Sequence, residues 1–420
     1  MSWQESSLGT IADMQLGKML DAKKNDGEYH SYLGNDNIQW DGVNLSEIKE
    51  MRFKDSELAK FALKPGDLLV CEGGDPGRCA IWDSTEEMYY QKALHRVRAH
   101  EGVLDNRFLY YFLVHIGSTQ EIRQYYTGGA TIKHLPKAAL ERVVVRYPDL
   151  ETQRRIAGVL SAYDKLIENN RKQIKLLEEA AQRLYKEWFV DLRFPGHETT
   201  PVVNGLPEGW KRLSLRNYLV SHIGGGWGKE FSESSYPIQA AVIRATDINA
   251  IRNGNVKDIP VRWHSEVNFQ KRELEAGDIV FEVSGGSKET GVGRSLMITE
   301  DILSMFDGPV ICASFCKRIH LADSDDSALL YWKIRNDSKT GLIRKYEKSS
   351  AGNIINFLWE DFLDGYELLV PSSRIKEQFE STVGSYSKKL GMCFRRISFA
   401  REARDRLLPK LMSGEIEVWP

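Results

Sequence analysis

The chain has 420 residues, enough for two or three domains, and its 42% hydrophobic and 10% aromatic residues are typical of a folded protein. Lysine and arginine together number 57 against 59 aspartates and glutamates, which excludes a protein coated in positive charge. A nucleic-acid-binding protein is not excluded, because binding depends on a local basic face and not on the total charge.

Signals for secretion or membrane insertion are missing from the sequence. The first residues, MSWQESSLGT, contain neither a basic region nor an apolar one, and no run approaches the ~18 apolar residues of a membrane span. The cysteines are five in number and widely scattered, which fits reduced thiols. We therefore expect a soluble cytoplasmic protein with no membrane partner.

Residues 1–150 predict a first globular domain of the α+β class. Short strand-like runs, GDLLVCE from Gly66 and RVVVRYP from Arg142, are separated by turns rich in glycine and aspartate. Between them, NRFLYYFLVHI from Asn106 has a helical pattern. The mixture of strands and helices suggests the α+β class.

Residues 151–193 predict a long helix with a heptad seam. Apolar residues recur at alternating spacings of three and four, as in a coiled coil. The seam consists of Leu160, Tyr163, Ile167, Asn170, Ile174, Leu177, Ala181, Leu184 and Trp188. A single apolar stripe needs a partner that buries it, so a second helix is expected.

The second half of the chain repeats the first. After a linker at 194–209 rich in proline, glycine and threonine, a second globular domain is predicted at 210–371 and a second helix with a tail at 372–420. KPGDLLV from Lys64 corresponds to EAGDIVF from Glu275, and at a common offset Gly129 falls on Gly352 and Pro148 on Pro371. Several matching segments in the same order indicate a tandem duplication.

The repeat carries the heptad seam into the second helix. Its members are Val383, Tyr386, Leu390, Cys393, Ile397, Ala400, Arg404, Leu407 and Leu411. We expect the two helices to pair as an antiparallel intramolecular coiled coil, with the polar seam residues Asn170 and Arg404 fixing the register. The alternative is a pair of ordinary helices that pack on their own domains.

No catalytic or metal site is predicted. GGGWGKE from Gly224 resembles a phosphate loop, but Glu230 stands where a hydroxyl would meet magnesium, which favours a surface turn. Asp278 and Glu282 lie in one strand-like run, as in a nuclease core, but no lysine follows at the required spacing. Histidine pairs with ligand spacing and the tetrapeptides of adenine methyltransferases do not occur.

Candidate DNA contacts occur at equivalent places in both copies. Each copy has a glycine-rich loop that ends in arginine and a later turn rich in basic or amide side chains, a combination suited to phosphates and base edges. The candidate residues are Arg78, Lys133, His134, Lys229, Arg244, Lys288, Arg294, Lys345, Lys348 and Asn353. For any one of them, a solvated surface turn is the competing interpretation.

Taken together, these segments resemble the specificity (S) subunit of type I restriction-modification systems over nearly the whole chain. The resemblance rests on both copies and on PDLETQRRIAGVLSAYDKLIENNRKQI from Pro148, LPEGWKRLSL from Leu206 and REARDRLLPKLMSGEIEV from Arg401. One departure is the first copy, which begins MSWQESSLG without the usual LPxGW preface.

The resemblance implies a non-catalytic reader of double-stranded DNA. Each globular domain would be a target-recognition domain that contacts one half of a bipartite, asymmetric target, and the coiled coil would set the spacing. Two modification (M) subunits with S-adenosylmethionine and restriction (R) subunits with ATP and Mg²⁺ would be the partners, while this chain would bind no cofactor. The alternatives are a stand-alone nuclease or methyltransferase and a coiled-coil scaffold with no DNA role.

Overall fold

The computed structural model describes residues 3–21, 25–129, 133–287, 289–321, 326–350 and 354–419. The chain divides into two compact units. Unit 1 comprises Met1–Lys165 with Glu402–Pro420, and unit 2 comprises Leu166–Arg401. The division falls inside two long helices, Leu150–Tyr185 and Ser373–Ser413, so each helix contributes a segment to each unit. The domain boundaries expected from the sequence stay a prediction.

Unit 1 contains mainly antiparallel sheets and the 13-residue helix α3. Its elements are β1 (Gln4–Ser7), α1 (Leu8–Ile11), β2 (Ala12–Leu16), β3 (Glu28–Leu33), β4 (Ile38–Gln39), β5 (Gly42–Val43), β6 (Lys49–Phe53), α2 (Asp55–Phe61), β7 (Asp67–Cys71), β8 (Cys79–Trp82), β9 (Tyr89–Tyr90), β10 (Leu94–Ala99), α3 (Asn106–Ser118), α4 (Lys137–Leu140), β11 (Val144–Tyr147) and the start of α5 (Leu150–Tyr185). Short 3-10 turns lie at Asn35–Asn37 and Glu121–Tyr125.

In unit 2, α5 ends in a π-helical turn at Lys186–Val190. The elements that follow are β12 (Val202–Val203), β13 (Leu206–Pro207), β14 (Lys211–Ser214), α6 (Leu215–Tyr218), β15 (Ser221–Gly224), β16 (Ile238–Ile243), α7 (Ile248–Arg252), β17 (Val261–His264), α8 (Glu266–Gln270), β18 (Ile279–Glu282), β19 (Ser284–Gly286), β20 (Ser295–Met297), α9 (Glu300–Leu303), β21 (Val310–Cys312), β22 (Cys316–His320), α10 (Asp326–Thr340), β23 (Glu347–Ser349), β24 (Ile355–Phe357), α11 (Trp359–Gly365), β25 (Glu367–Val370) and α12 (Ser373–Ser413). The 3-10 turns of this unit lie at Ala245–Asp247 and Leu342–Tyr346.

The two units have the same sheet topology. The four-stranded sheet β2-β10-β7-β8 of unit 1 is matched in unit 2 by β15-β22-β18-β20, strand for strand in chain order. The three-stranded sheet β6-β3-β9 is matched by β17-β16-β21, and in both the last pair is parallel. The pairs β1-β11 and β14-β25 also correspond. The predicted α+β class and the tandem duplication are therefore confirmed.

Each four-stranded sheet is anchored by one buried aspartate in the turn that opens its central strand. In unit 1, Asp67 accepts the backbone N–H of Lys64 at 2.8 Å and is bound in bidentate fashion by Arg98. In unit 2, Asp278 accepts the N–H of Glu275 at 2.8 Å and is bound by Arg318 and His320 at 2.7 and 2.8 Å. The shared PGD/AGD sequence thus has a physical role, because the carboxylate ties the turn to a neighbouring strand.

The long helices pair in antiparallel fashion within each unit. In unit 1, Arg155 of α5 contacts Val418, and Asp164 further along α5 contacts Arg404. In unit 2, the Gln173 Oε1 atom lies 3.8 Å from Cys393 Sγ, and the ring of Tyr185 packs on Phe379. Positions rise along α5 while they fall along α12, which confirms the predicted antiparallel pairing.

The seam residues predicted from the heptads line these packed faces. Ile167, Asn170, Leu390 and Ile397 are buried. The partly buried members pack against the core of their own unit: Ile174, Leu177, Leu184 and Tyr386 in unit 2, and Leu407 in unit 1. Tyr163 is also partly buried. Asn170 donates its amide to the carbonyl of Leu166 in its own helix, so the charged pair at Arg404 is the clearer register contact.

Replacing Arg404 by alanine is expected to lower the free energy of unfolding of unit 1 by about 2–3 kcal/mol, somewhat less than for a fully buried pair. The side chain is 13% exposed, and its Nη1 donates to Asp164 Oδ1 at 2.6 Å while the Tyr111 hydroxyl donates to Oδ2. Burial alone would lower the pKa of Arg404, but the nearby charge of Asp164 and the hydrogen bond raise it overall. Hydrogen exchange of residues 106–118 and 150–165 measures the loss locally.

Arg406 provides the matched control for Arg404. It lies on the same helix with 79% of its side chain exposed and forms only an i,i+4 pair with Glu402. Arg406→Ala should cost less than about 0.5 kcal/mol. Equal losses in the two variants would contradict the register role of Arg404.

Candidate nucleic-acid interface

In unit 1, two loops far apart in the sequence lie side by side. The first loop, 72–78, follows β7, and the second, 127–134, follows the 3-10 turn after α3. The backbone N–H of Leu135 donates to the carbonyl of Glu72 at 2.7 Å, and a Cβ at Gly73 would lie 3.2 Å from the Nδ1 atom of His134. We call these two segments the loop pair of unit 1.

The second loop of this pair presents its basic side chains to solvent. Thr127 and His134 exchange backbone hydrogen bonds of 2.8 and 2.9 Å, which join the two ends of this segment. Lys133 and His134 at its end are both exposed. These two candidates are therefore free to contact a ligand without any rearrangement of the core.

Arg78 is placed differently. Its side chain is 18% exposed, and its Nη2 donates to the carbonyl of Asn35 at 3.0 Å while Nη1 lies 3.9 Å from Asp75. The first loop is further held by Trp40, whose indole N–H donates to Asp75 at 3.1 Å. Arg78 thus braces the loop from inside, and its predicted contact with DNA stays a prediction.

In unit 2, the equivalent loops also meet, and here they form a small sheet. The first loop, 283–287 and 289–294, follows β18, and the second, 344–350 and 354–356, begins inside the 3-10 turn after α10. Strand β19 of the first loop pairs with β24, which pairs in turn with β23. The Val292 N–H donates to the Glu347 carboxylate at 3.0 Å, and Arg344 donates to the carbonyl of Glu289 at 3.1 Å. These segments are the loop pair of unit 2.

Arg294, at the end of the first loop of unit 2, forms an ion pair with the buried carboxylate of Glu282. Its Nε and Nη2 atoms donate to the two oxygens of Glu282 at 2.9 and 2.6 Å, and the Glu282 side chain is fully buried. The hydrogen bond to Glu282 raises the pKa of the guanidinium. Glu282 is therefore a structural counter-ion, and the guanidinium remains partly exposed at the cavity described below.

The other candidates of unit 2 lie in two places. Lys345 and Lys348 are exposed on the second loop, and Lys345 lies over the ring of Tyr346 at 4.9 Å. Lys229 and Arg244 lie instead beside the sheet β17-β16-β21, where Arg244 forms a bidentate pair with Asp247. Lys288 and Asn353 lie outside the described residues.

Sequence reasoning missed a group of cations that only packing brings to the loop pair of unit 2. Arg252 of α7, with Arg335 and Lys339 of α10, lines the same cavity as Arg294 and Arg344. The one available signal was local, since Arg335 and Lys339 are four residues apart and share a helix face. Nothing in the sequence around Arg252 marks it, because its neighbours in the cavity come from distant segments.

The described residues contain neither a metal-binding cluster nor a membrane-spanning helix. No group of three or more His, Cys, Asp and Glu side chains in the described ranges is arranged to hold a metal ion. Across the same part of the chain, no helix is both long and apolar enough to cross a membrane. The cysteines have free thiols and are buried, and burial raises the pKa of Cys71 to about 11, so this thiol is protonated at neutral pH.

Comparison with known proteins agrees with this architecture. Residues 1–179 match the family described as the type I restriction modification DNA specificity domain. The MjaIX specificity subunit of Methanocaldococcus jannaschii is 26% identical over 88% of this chain and 82% of its own length. The HindI specificity subunit of Haemophilus influenzae is 21% identical over 99% of both chains.

Over residues 1–179 the chain is thus similar to the type I restriction modification DNA specificity domain, and both relatives named above are specificity subunits. A solved S subunit of such a system from M. genitalium has the same fold, with a TM-score of 0.60 at 15% identity over 98% of this chain and 96% of that one. The family match ends at residue 179, and the relatives that span both halves extend the similarity to the second copy.

Proposed function

We propose that this chain is the specificity subunit of a type I restriction-modification system, and that each unit reads one half of a bipartite, asymmetric DNA target. The observation that carries the proposal is the recurrence of the loop pair. In both units the loop after the central strand meets the loop after the 3-10 turn, although the two segments are distant in sequence. Two copies of one framework, with their loops in equivalent positions, can each contact one stretch of DNA duplex.

The asymmetry of the target follows from the chemistry of the loops. Unit 1 presents Lys133 and His134 beside the backbone bridge between Thr127 and His134, whereas unit 2 presents Lys345 and Lys348 around a three-stranded sheet. Different donors on different backbones favour different bases, since base edges are distinguished by their pattern of donors and acceptors. The two half-sites are therefore expected to have unrelated sequences.

The helix pair has the properties of a spacer and docking element in this proposal. Helix α5 has 36 residues and α12 has 41, so each is rigid and far longer than a domain helix needs to be. Two M subunits would bind its outer faces and supply much of the phosphate contact, which makes the net charge of -2 compatible with DNA binding. R subunits would complete the cytoplasmic complex.

The chemistry of modification and cleavage would belong to the partners. S-adenosylmethionine would be bound by the M subunits, and ATP and Mg²⁺ by the partner subunits, with this chain non-catalytic and free of cofactors. A purified chain incubated with DNA, Mg²⁺ and S-adenosylmethionine should then show no turnover. Cleavage or methylation by the chain alone would establish a stand-alone enzyme and reject this assignment.

The decisive experiment is to express the chain with the M subunit of its operon in a host that lacks adenine methylation. Sequencing that detects N6-methyladenine should return one bipartite sequence with two unlike halves. Gel-shift assays with that duplex, with and without the M subunit, measure binding directly. If no specific complex forms in either condition, the chain is a scaffold and the proposal fails.

Substitutions in one loop pair test the assignment of half-sites. Lys345→Ala with Lys348→Ala should relax recognition in one half of the target by about 1–3 kcal/mol per lost base contact and leave the other half unchanged. Lys271, exposed after α8 and outside the loop pair, supplies the control as Lys271→Ala. Loss of recognition in both halves, or in neither, would contradict the proposal that each unit reads its own half-site.

A further inference from the structure

Unit 2 contains a cavity of about 340 Å³ whose charged lining is entirely positive. Its walls come from α7, the end of the first loop, α10, the turn at Leu342–Tyr346 and one residue of α5. The cationic lining residues are Arg252, Arg294, Arg335, Lys339 and Arg344, and within the described ranges no carboxylate lines the cavity. These five positively charged side chains surround one cavity, and their mutual repulsion must be compensated.

Among the described residues, two of these cations are paired with carboxylates of the protein. Arg294 is paired with Glu282, and Arg335 with Glu178 at 3.3 Å. Neither carboxylate belongs to the described residues that line the cavity. The charge of these two guanidinium groups is balanced without any ligand.

The other three cations have only neutral acceptors among the described residues. Arg252 donates to the Ser295 carbonyl and the Tyr331 hydroxyl at 2.6 and 2.9 Å. Lys339 donates to the Gln182 amide oxygen at 3.3 Å, and Arg344 to the backbone carbonyl of Glu289. Three positive charges on one cavity therefore lack a counter-charge within the described part of the chain.

The hydrogen bonding of Arg252, like the charge of the lining, favours an anion in this cavity. The Nε atom of Arg252 is buried and has no hydrogen-bond partner among the described residues. A buried donor without an acceptor costs about 1–3 kcal/mol, and more when the group is charged. An anion with several oxygens would supply acceptors and charge at once, and guanidinium groups match phosphate oxygens in geometry.

The position of the cavity suggests where such an anion comes from. Thr290 and Arg294 belong to the first loop of the loop pair, and Arg344 begins its second loop, so the cavity opens where unit 2 is proposed to meet DNA. Lys339 and Arg344 are exposed at the surface, while Arg252 and Arg335 are more buried. A duplex on this loop pair would bring its backbone to the exposed cations first.

We propose that this cavity is a phosphate-binding site, and that the phosphate it takes is a backbone phosphate of the half-site held by unit 2. The DNA source rests on the proposed function, whereas the phosphate chemistry does not. A free phosphate or nucleotide is the other possible source of the same group. The contact positions the duplex on the loop pair and carries no sequence information.

The test removes the two exposed cations by Lys339→Gln with Arg344→Gln in the full chain together with its M subunit. Anisotropy measures affinity for the target duplex and for an unrelated duplex over a range of salt. Both affinities should fall by a similar factor, and the slope of log K against log salt should become shallower by about 0.9, the value for one phosphate contact. Between about 50 and 200 mM salt, the wild type should therefore lose roughly three- to fourfold more affinity than the variant.

The matched control is Lys271→Gln with Arg374→Gln, which removes one lysine and one arginine from exposed positions of unit 2 that do not line the cavity. Thermal unfolding followed by circular dichroism checks that both double variants are folded. An equal change of slope in the control variant would mean that the electrostatic field of the whole unit, and not the cavity, determines the salt dependence of binding. That result would overturn the cavity site. Loss of target binding with unchanged binding to the unrelated duplex would indicate base contact and would also overturn it.

The source of the phosphate is separated by calorimetric titration with inorganic phosphate and with ATP. Loss of their binding in the cavity variant, with duplex binding unchanged, would support the phosphate site and reject DNA as its source. No change with any of the probes would overturn the site altogether. If the wild type does not prefer its target, the proposed function fails, and the phosphate titration still decides the cavity.

Discussion

Asp278→Ala is expected to destabilise unit 2 by about 3–5 kcal/mol, the cost of removing one partner from a buried ion pair. The Asp278 carboxylate is fully buried and joins the turn that opens β18 to Arg318 and His320 of β22. Without it, the guanidinium of Arg318, itself 11% exposed, keeps Glu275, at 3.6 Å and at the surface, as its one acidic neighbour among the described residues. Urea denaturation and hydrogen exchange of β18 and β22 measure the loss.

The duplication supplies an internal comparison for this substitution. Asp67→Ala removes the equivalent carboxylate from Arg98 in unit 1, and protection should be lost there in β7 and β10 while unit 2 keeps its own. Asp307→Ala, at an exposed position of unit 2, should change the free energy of unfolding by less than about 0.5 kcal/mol. If Asp278→Ala were as mild as Asp307→Ala, the aspartate would not anchor the sheet.

A matched insertion in the two long helices should change the DNA spacer and nothing else in the target. Seven residues inserted after Gln173 and seven after Cys393 keep the heptad seam continuous at a point where the helices touch. At ~1.5 Å per residue the pair lengthens by about 10.5 Å, which is roughly 3 base pairs at ~3.4 Å each. Methylation of the original target should be abolished.

Sequencing of N6-methyladenine in a host that expresses the lengthened chain with its M subunit checks this expectation. The two half-sites should reappear unchanged around a spacer that is about 3 base pairs longer. An insertion in α5 alone serves as the control, because it shifts the register against α12 and should yield no defined target. Altered half-sites with an unaltered spacer would mean that the helix pair does not set the distance.

The fold could be predicted in large part because its signals are local and repeated. The heptad seam identified both long helices, and the buried Ile167, Leu390 and Ile397 lie on the packed faces it predicted. The shared PGD/AGD turn identified equivalent strands in the two copies. What the heptads could not determine was the division of the chain, since unit 1 recruits the last residues of α12 through tertiary packing.

The candidate site was predictable only as a set of segments. The glycine-rich loops and basic turns are visible in the sequence, but their meeting depends on contacts such as that between Glu72 and Leu135, whose partners are distant along the chain. Side-chain roles depended on packing as well. Arg78 and Arg294 looked alike as loop-ending arginines, yet one braces Asn35 and the other neutralises Glu282.

By itself, therefore, the sequence determined the duplication, the α+β class and the paired helices, because the heptad periodicity and the internal repeat can be recognised in the order of residues alone. Tertiary structure alone decided which loops form a surface and which cations share a cavity. Arg252, Arg335 and Arg344 come together from three separate segments, and only the packing of α7, α10 and the turn after α10 brings them to one space. Long-range packing produces such groupings, and no local pattern encodes them.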